Sequence, residues 1–449
     1  MASNFNHDLA ALFVQDENHL KNLLYSYELD AFYLYQPDQG YFKLFDEKRH
    51  DMENYILKFL QQRVTKNISM SLIKDIKSLI KLMTCRKIGY LESKYIALKS
   101  QLLDVETFDL LPFSPELITF STLPFDASEL TLPKSDSLWF KFLDEIVVKE
   151  DLTPDKELQK TIQEMFGYAL LPSSKAEKTF FLVGEGANGK SVLLNVLRNV
   201  VGEHNCASKS IESLTTDRFA TSGLVGKTLN ICSEEESDYI KSDKFKAIVS
   251  GEPIDIERKF GEATTGRFSV KFVFATNEMP TFSGFNYGLL RRMVIIPFLK
   301  TIEEEKRDVN LIHRLLQELP SIIGWSLEGA KQLSNRNFRF CLTDSSLKKQ
   351  NEFKENLSSA IMFVNERFQK DSENFISNDD LYTDYVVWCD LRGVKKMKFY
   401  RFTKDLGKSF GETFLKRDKE TGQVKRGRNL SAKIETLPLT SEEQETITF

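Results

Sequence analysis

Cysteine is scarce and scattered. The five residues Cys85, Cys206, Cys232, Cys341 and Cys389 are odd in number and form no Cys-x-x-Cys or Cys/His zinc spacing. That excludes a disulfide framework and a structural zinc, and points to a reducing, cytoplasmic setting, with a bacterial host as the expectation. Long apolar runs are also missing: no stretch approaches the ~18 continuous apolar residues of a membrane helix. The opening MASNFNHDLA has no basic-then-apolar signal pattern, so membrane and secretory roles are not expected. There is no internal repeat and no low-complexity tract. What is present is ordinary core material, with 41% apolar residues, 28% charged residues and 35 Phe in 449 residues. A chain of that length holds two or three domains at roughly 100–200 residues each.

The net charge of −4 conceals a segregation. Residues 391–430 carry 13 Lys or Arg against 4 Asp or Glu, a local balance of +9, which leaves −13 for the rest of the chain. A basic segment on an acidic body is the pattern of a polyanion-binding module.

Residues 1–110 are mixed. YSYELDAFYLYQPDQGYFKLF is strand-like around a Pro-Asp-Gln-Gly turn, and Asp51 to Leu103 has apolar residues at helical spacing. Residues 111–175 combine a Pro-punctuated linker with helical periodicity from about residue 135 (Trp139, Phe140, Leu143, Ile146, then Leu158, Ile162, Met165, Phe166). Residues 176–335 alternate strand and helix patterns, the mark of an α/β domain with a largely parallel sheet. Residues 336–378 read as a helical connector, and 379–449 as a basic, turn-rich end.

The strongest local signal is TFFLVGEGANGKSVLLNVLRNVVG. An apolar strand runs into Gly184-Glu185-Gly186-Ala187-Asn188-Gly189-Lys190-Ser191, and an apolar helix begins at once. This is the G-x-x-x-x-G-K-[ST] phosphate loop in its strand–loop–helix setting. Glycines let successive N–H groups turn toward one anion, and the helix N-terminus adds partial positive charge. The motif predicts nucleoside triphosphate binding, with Lys190 on the β- and γ-phosphates and the Ser191 hydroxyl on Mg²⁺.

Further chemistry-bearing residues follow at strand ends. Thr228-Leu-Asn-Ile-Cys232 leads to Ser233-Glu234-Glu235-Glu236, where carboxylates suit Mg²⁺ ligation and orientation of attacking water. Glu234 and Glu235 are favoured over Glu236, and the metal is assigned to Ser191 with Glu234. Val270-Lys-Phe-Val-Phe-Ala-Thr-Asn277 ends in an Asn placed to sense the γ-phosphate or hold water. Leu289-Leu-Arg291-Arg292 precedes the apolar Met-Val-Ile-Ile-Pro297. An arginine there either snorkels outward or crosses a subunit interface to a neighbour's γ-phosphate. The residues from Ile254 into Gly261-Glu-Ala-Thr-Thr-Gly266 and out through Arg267-Phe-Ser-Val alternate like a β-hairpin.

Taken together, in order and spacing, these segments resemble superfamily 3 helicases of the phage, plasmid and poxvirus primase–helicase type. The likeness covers about residues 100–435, from DSLWFKFLDEIV through GEGANGKS, KTLNICSEE, FKAIVSGEPIDIERKFGE and FVFATNEMP to LLRRMVIIPF. It implies an AAA+ core at 176–335, a helical collar before it, an N-terminal accessory domain, ATP and Mg²⁺ as cofactors, and a homo-hexameric ring around DNA. It also implies that Asn277 is the sensor and that Arg291 or Arg292, with Arg292 preferred, is the arginine finger. Arg258 and Lys259 on the hairpin would hold single-stranded DNA in the channel. The first 110 residues contain no Asp-x-Asp pair behind an apolar strand, so the chain resembles a helicase without a primase site, as in replication initiators of mobile elements.

The basic end reads as helix, helix, hairpin: Asp380 to Leu391, a turn at Gly393, Phe399 to Phe410, then two strands around Glu-Thr-Gly422. That is a winged-helix pattern, in which Arg401, Lys404 and Lys408 meet the major groove of duplex origin DNA while Lys425, Arg426 and Arg428 meet phosphates. The function expected is an ATP-dependent DNA helicase and replication initiator. The alternative is an origin-binding protein that uses ATP as an assembly switch with little unwinding. An AAA+ protein remodeller is disfavoured, because Arg258, Lys259 and the basic end have no evident use on protein substrates.

Overall fold

Three mostly apolar runs, TFFLV, KFVFAT and MVIIP, are buried at every position, which is what a strand covered on both faces requires. They form three neighbouring strands of a five-stranded sheet in the computed structural model, which describes residues 8–9, 11–13, 21–27, 30–46, 49–63, 68–86, 93–235, 239–257, 263–283, 287–356, 359–371, 374–394, 396–410, 413–417 and 422–432. Its strands are β1 (Thr179–Val183), β2 (Cys206–Ala207), β3 (Leu229–Cys232), β4 (Lys271–Thr276) and β5 (Met293–Pro297), in the order β5-β1-β4-β3-β2. Every pairing is parallel, as the strand–helix alternation predicts.

Helices pack on one face of this sheet: α1 (Leu138–Ile146), α2 (Lys156–Leu170), α3 (Lys190–Val201), α4 (Leu311–Gln317) and α5 (Leu319–Asn335). The stretch before the phosphate loop is therefore not a detached collar. Trp139 of α1 meets Trp325 of α5 edge-on with ring centres 5.2 Å apart, and Phe166 of α2 lies 5.7 Å from the same ring. These residues share one core with Phe180, Leu182, Val273 and Ile296 of the sheet. Fully buried Phe142 and Phe166 each stabilise this packing by roughly 1.5–3 kcal/mol. Glycine permits the crossing of α2 and α5: a Cβ on Gly167 would come within 2.2 Å of the Ala330 amide, and one on Gly329 within 2.4 Å of the Gln163 carbonyl.

The N-terminal region forms the expected strands, Leu23–Ser26, Ala31–Gln36 and Tyr41–Leu44, with the Pro37–Gly40 turn closed by the Gly40 amide on the Gln36 carbonyl at 2.7 Å. Helices Asp51–Gln61 and Met70–Met83 follow. The helical expectation to Leu103 is corrected: Tyr95–Ala97 and Leu102–Asp104 are antiparallel strands. Leu102 and Leu103 pair across to Leu110–Leu111, so cross-strand partners outweigh the local apolar spacing.

At the other end, α6 (Asn378–Arg392) stops at Gly393 in the left-handed region (φ 61°), and α7 (Phe399–Phe410) leads to the hairpin Phe414–Arg417 with Val424–Arg428. Helix, helix, hairpin is the order read from the sequence. The unit starts upstream of residue 379, however. Phe363, on the helix Ser359–Arg367, packs on Tyr385, Trp388 and Phe402, and Phe368–Lys370 pairs with Leu430–Ala432. Residues 359–378 thus belong with the C-terminal unit rather than with a purely helical connector. Among the described residues no helix is long and apolar enough to cross a membrane.

Candidate functional site

Strands β1, β3, β4 and β5 end at one edge of the sheet, with Val183 in register with Thr276 and Pro297, and Cys232 with Phe274. The loops leaving those ends converge, which is where open parallel sheets bind ligands. They line a cavity of about 780 Å³.

The phosphate loop forms its floor. Ala187 and Gly189 both have positive φ, 58° and 83°, which bends the backbone around the cavity before α3 begins at Lys190. At Gly189 a Cβ would also come within 2.6 Å of Ile146 Cγ2, so α1 presses directly on the loop. Asn188 is buried and donates its side-chain amide to the Glu185 carbonyl, bracing the turn from inside. The Lys190 ammonium donates to the carbonyls of Gly184 and Glu185, and burial pulls its pKa down. Ser191 is exposed on the first turn of α3 and faces the cavity.

Across from the loop the two favoured glutamates separate. Both line the cavity, and Glu234 is exposed. Glu235 is 3% exposed, and its Oε2 accepts the Ile211 amide at 2.8 Å, at the start of the short helix Ile211–Thr216. Glu235 thus has one carboxylate oxygen engaged by the Ile211 amide, and Glu234 is the more accessible of the two. Glu236 lies outside the described residues. Burial pushes the Cys232 thiol up to about 11, so it stays protonated beside them. Asn277 follows β4 directly, is exposed, and lines the same cavity. The structure therefore brings Lys190, Ser191, Glu234 and Asn277 together from three separate segments.

Sequence reasoning missed the flank of the cavity. Lys141 and Glu145 of α1, and Arg307 and Arg314 from the segment after β5, also line it. That segment is tied to the loop by the Ile302 amide on the Ala187 carbonyl at 2.7 Å. Arg314 forms an ion pair with Asp308. No motif marks these residues, since their relation to the loop is purely tertiary.

The arginine pair requires a correction. Arg292 is 5% exposed; its guanidinium donates to Glu177 at 2.8 Å and to the Gly288 carbonyl at 2.7 Å. It is anchored inward, and Arg291 is the exposed member. Both lie at the opposite end of the sheet from the phosphate loop: Thr179 at the start of β1 donates its amide to the Arg292 carbonyl. Five strand residues at about 3.3 Å each put them roughly 16 Å from their own loop, beyond side-chain reach.

A hairpin is present, but its return strand is Thr264–Gly266, paired with Ile254–Ile256, rather than Arg267–Val270, and Arg258 and Lys259 lie outside the described residues. In the C-terminal unit, α7 buries Phe402 and Leu406 and leaves Arg401 and Lys404 exposed on its outer side, beside Tyr400 at 76% exposure. Lys408 is on the same helix, its side chain outside the described residues. On the hairpin Arg426 is exposed and Lys425 half-buried. Arg428 does not face outward as expected. It is 3% exposed, donates to the Thr403 carbonyl at 2.9 Å, and has its pKa lowered by burial. Its strand end pairs with Ile376–Ser377, which turns this residue toward α7.

Residues 182–292 match the model of a family of unknown function (DUF5906), and residues 359–432 match the Poxvirus D5 protein-like family. A putative helicase, L207/L206 of Acanthamoeba polyphaga mimivirus, is 28% identical over 156 residues, 33% of this chain. The match spans 16% of that relative's length. Two apo structures of the NrS-1 C-terminal region align over 94% of this chain and 98% of theirs, at 12% identity and a TM-score of 0.45. Behind its phosphate-loop sheet the chain is thus similar to the Poxvirus D5 protein-like family, and across a third of its length it is similar to a viral putative helicase.

Proposed function

We propose that the chain is an ATP-dependent DNA helicase of superfamily 3, with an AAA+ core at its parallel sheet and a winged-helix-like DNA-binding unit at its C-terminal end, acting as a homo-hexameric ring in replication initiation. The observation that carries this is the convergence of Ser191, Glu234 and Asn277 on the cavity of the Lys190 loop. The residues suit ATP with Mg²⁺. A backbone cradle and a buried ammonium meet the phosphates, while one hydroxyl and one accessible carboxylate are the sparse protein ligand set Mg²⁺ uses beside phosphate oxygens. Bound there by Ser191 and Glu234, the metal supplies charge neutralisation on the triphosphate. Lys190 and the loop amides hold the β- and γ-phosphates, Asn277 orients water, and Arg291 of an adjacent subunit completes the site. Arg401, Lys404 and Arg426 form the outer cationic face that meets duplex phosphates and bases, and Arg258 and Lys259 grip the strand inside the ring.

Replacing Glu234 by Gln is expected to leave ATP binding intact and to slow hydrolysis by orders of magnitude, because the carboxylate that would hold the metal is lost. A nucleotide titration beside a phosphate-release assay reads both quantities. Unchanged turnover would remove Glu234 from the site. The function itself is tested by displacement of one strand from a forked duplex with and without ATP. Separation that requires hydrolysis is the expected result; ATP turnover on bound DNA without separation would overturn it in favour of an assembly switch.

A further inference from the structure

The turn that carries the two arginines is held three ways by one tripeptide. Glu177 pairs with the Arg292 guanidinium at 2.8 Å, Lys178 donates its ammonium to the Arg291 carbonyl, and the next residue, Thr179, donates its amide to the Arg292 carbonyl at 2.8 Å. Glu177 adopts φ 49°, a left-handed conformation rare for a side chain other than Gly, Asn or Asp. Strain of that kind persists only where surrounding contacts over-determine it, and here it aims the carboxylate at Arg292. Lys178, Arg291 and Arg292 are three cations gathered around one carboxylate, so the cluster keeps a local excess of positive charge. Burial and the two arginines both pull the Lys178 pKa down, which shows that this crowding is felt. A fold that needed only a cap on β5 would not concentrate like charges there.

We infer that Glu177, Lys178 and Arg292 form a clamp of positioning residues, which fixes the turn so that Arg291 projects toward the triphosphate bound by a neighbouring subunit. This rests on the shared-site reading above. Arg292 is then the anchor and Arg291 the working cation. Rigid positioning matters because a charge-stabilising group misplaced by about 1 Å can cost on the order of 100-fold in rate.

The test uses the full chain with ATP. Glu177→Ala is expected to bind ATP as the parent does, to lower the unfolding midpoint because buried Arg292 loses its carboxylate, and to lose about 10–100-fold in turnover. Because the lesion lies on the finger side, mixing with Lys190→Ala protein should restore activity, since some interfaces then pair an intact loop with an intact clamp. Glu177→Gln keeps an acceptor without the charge and should lose less. If Glu177→Ala does not fold, Glu177→Gln in the same mixing assay decides. Parent-like turnover of the Glu177 variants, alongside an inactive and rescuable Arg291→Ala protein, would overturn the clamp alone. So would lost turnover that mixing restores for Arg291→Ala but not for Glu177→Ala. Normal turnover by Arg291→Ala itself would overturn the shared site, and the clamp with it.

Discussion

Replacing Lys190 by Ala is expected to abolish ATP hydrolysis, with turnover falling at least about 10²–10³-fold, the scale of losing one preorganised charge-stabilising donor. Lys190 is 7% exposed and already held against the loop, its ammonium on the Gly184 and Glu185 carbonyls. Exchanging those neutral acceptors for phosphate oxygens is favourable, and burial strengthens the exchange by weakening competition from water. Other cations line the cavity, but none stands in for this one. Lys141 sits on α1 across the cavity, Lys306 pairs with Glu303, and Arg314 pairs with Asp308. None of the three springs from the loop itself. A phosphate-release assay at saturating ATP is the measurement, and turnover within tenfold of the parent would refute the enzymatic reading as a whole.

Arg291→Ala is expected to cost about 10³–10⁵-fold in turnover while leaving ATP binding intact, the range seen for arginine fingers supplied in trans. Arg291 is exposed, and it stands at the far end of the sheet from its own phosphate loop. In the proposed shared site its charge serves a neighbour's triphosphate. The same geometry predicts complementation: Arg291→Ala and Lys190→Ala proteins, each inactive alone, should regain turnover when mixed. Absence of rescue at every ratio, with mixed assembly verified by mass, would exclude a shared site. Arg292→Ala, by contrast, should lower the unfolding midpoint, because it leaves Glu177 without its partner and opens the packing before β5.

The phosphate loop was legible because everything that defines it is local: strand, Gly-rich turn, Lys-Ser and apolar helix lie in one stretch of chain, and backbone geometry alone makes it an anion cradle. Local order also made the C-terminal helix, helix, hairpin and the Ile254–Gly266 hairpin readable, since turn residues and alternation mark them. Where two candidates stood side by side, sequence could not choose. Adjacent residues differ only in which way they face, and a partner far along the chain decides that. Ile211 engages one oxygen of Glu235 and leaves Glu234 the more exposed of the two at the cavity. Glu177 takes Arg292 and leaves Arg291 outside. Thr403 takes Arg428 away from the basic face. The segment Tyr95–Asp104 became strand for the same reason, and α1 came to lie on the phosphate loop through Ile146 against Gly189. Motif chemistry was set by spacing along the chain, whereas the direction of each charged side chain was set by burial and by hydrogen-bond partners that only the folded chain brings within reach.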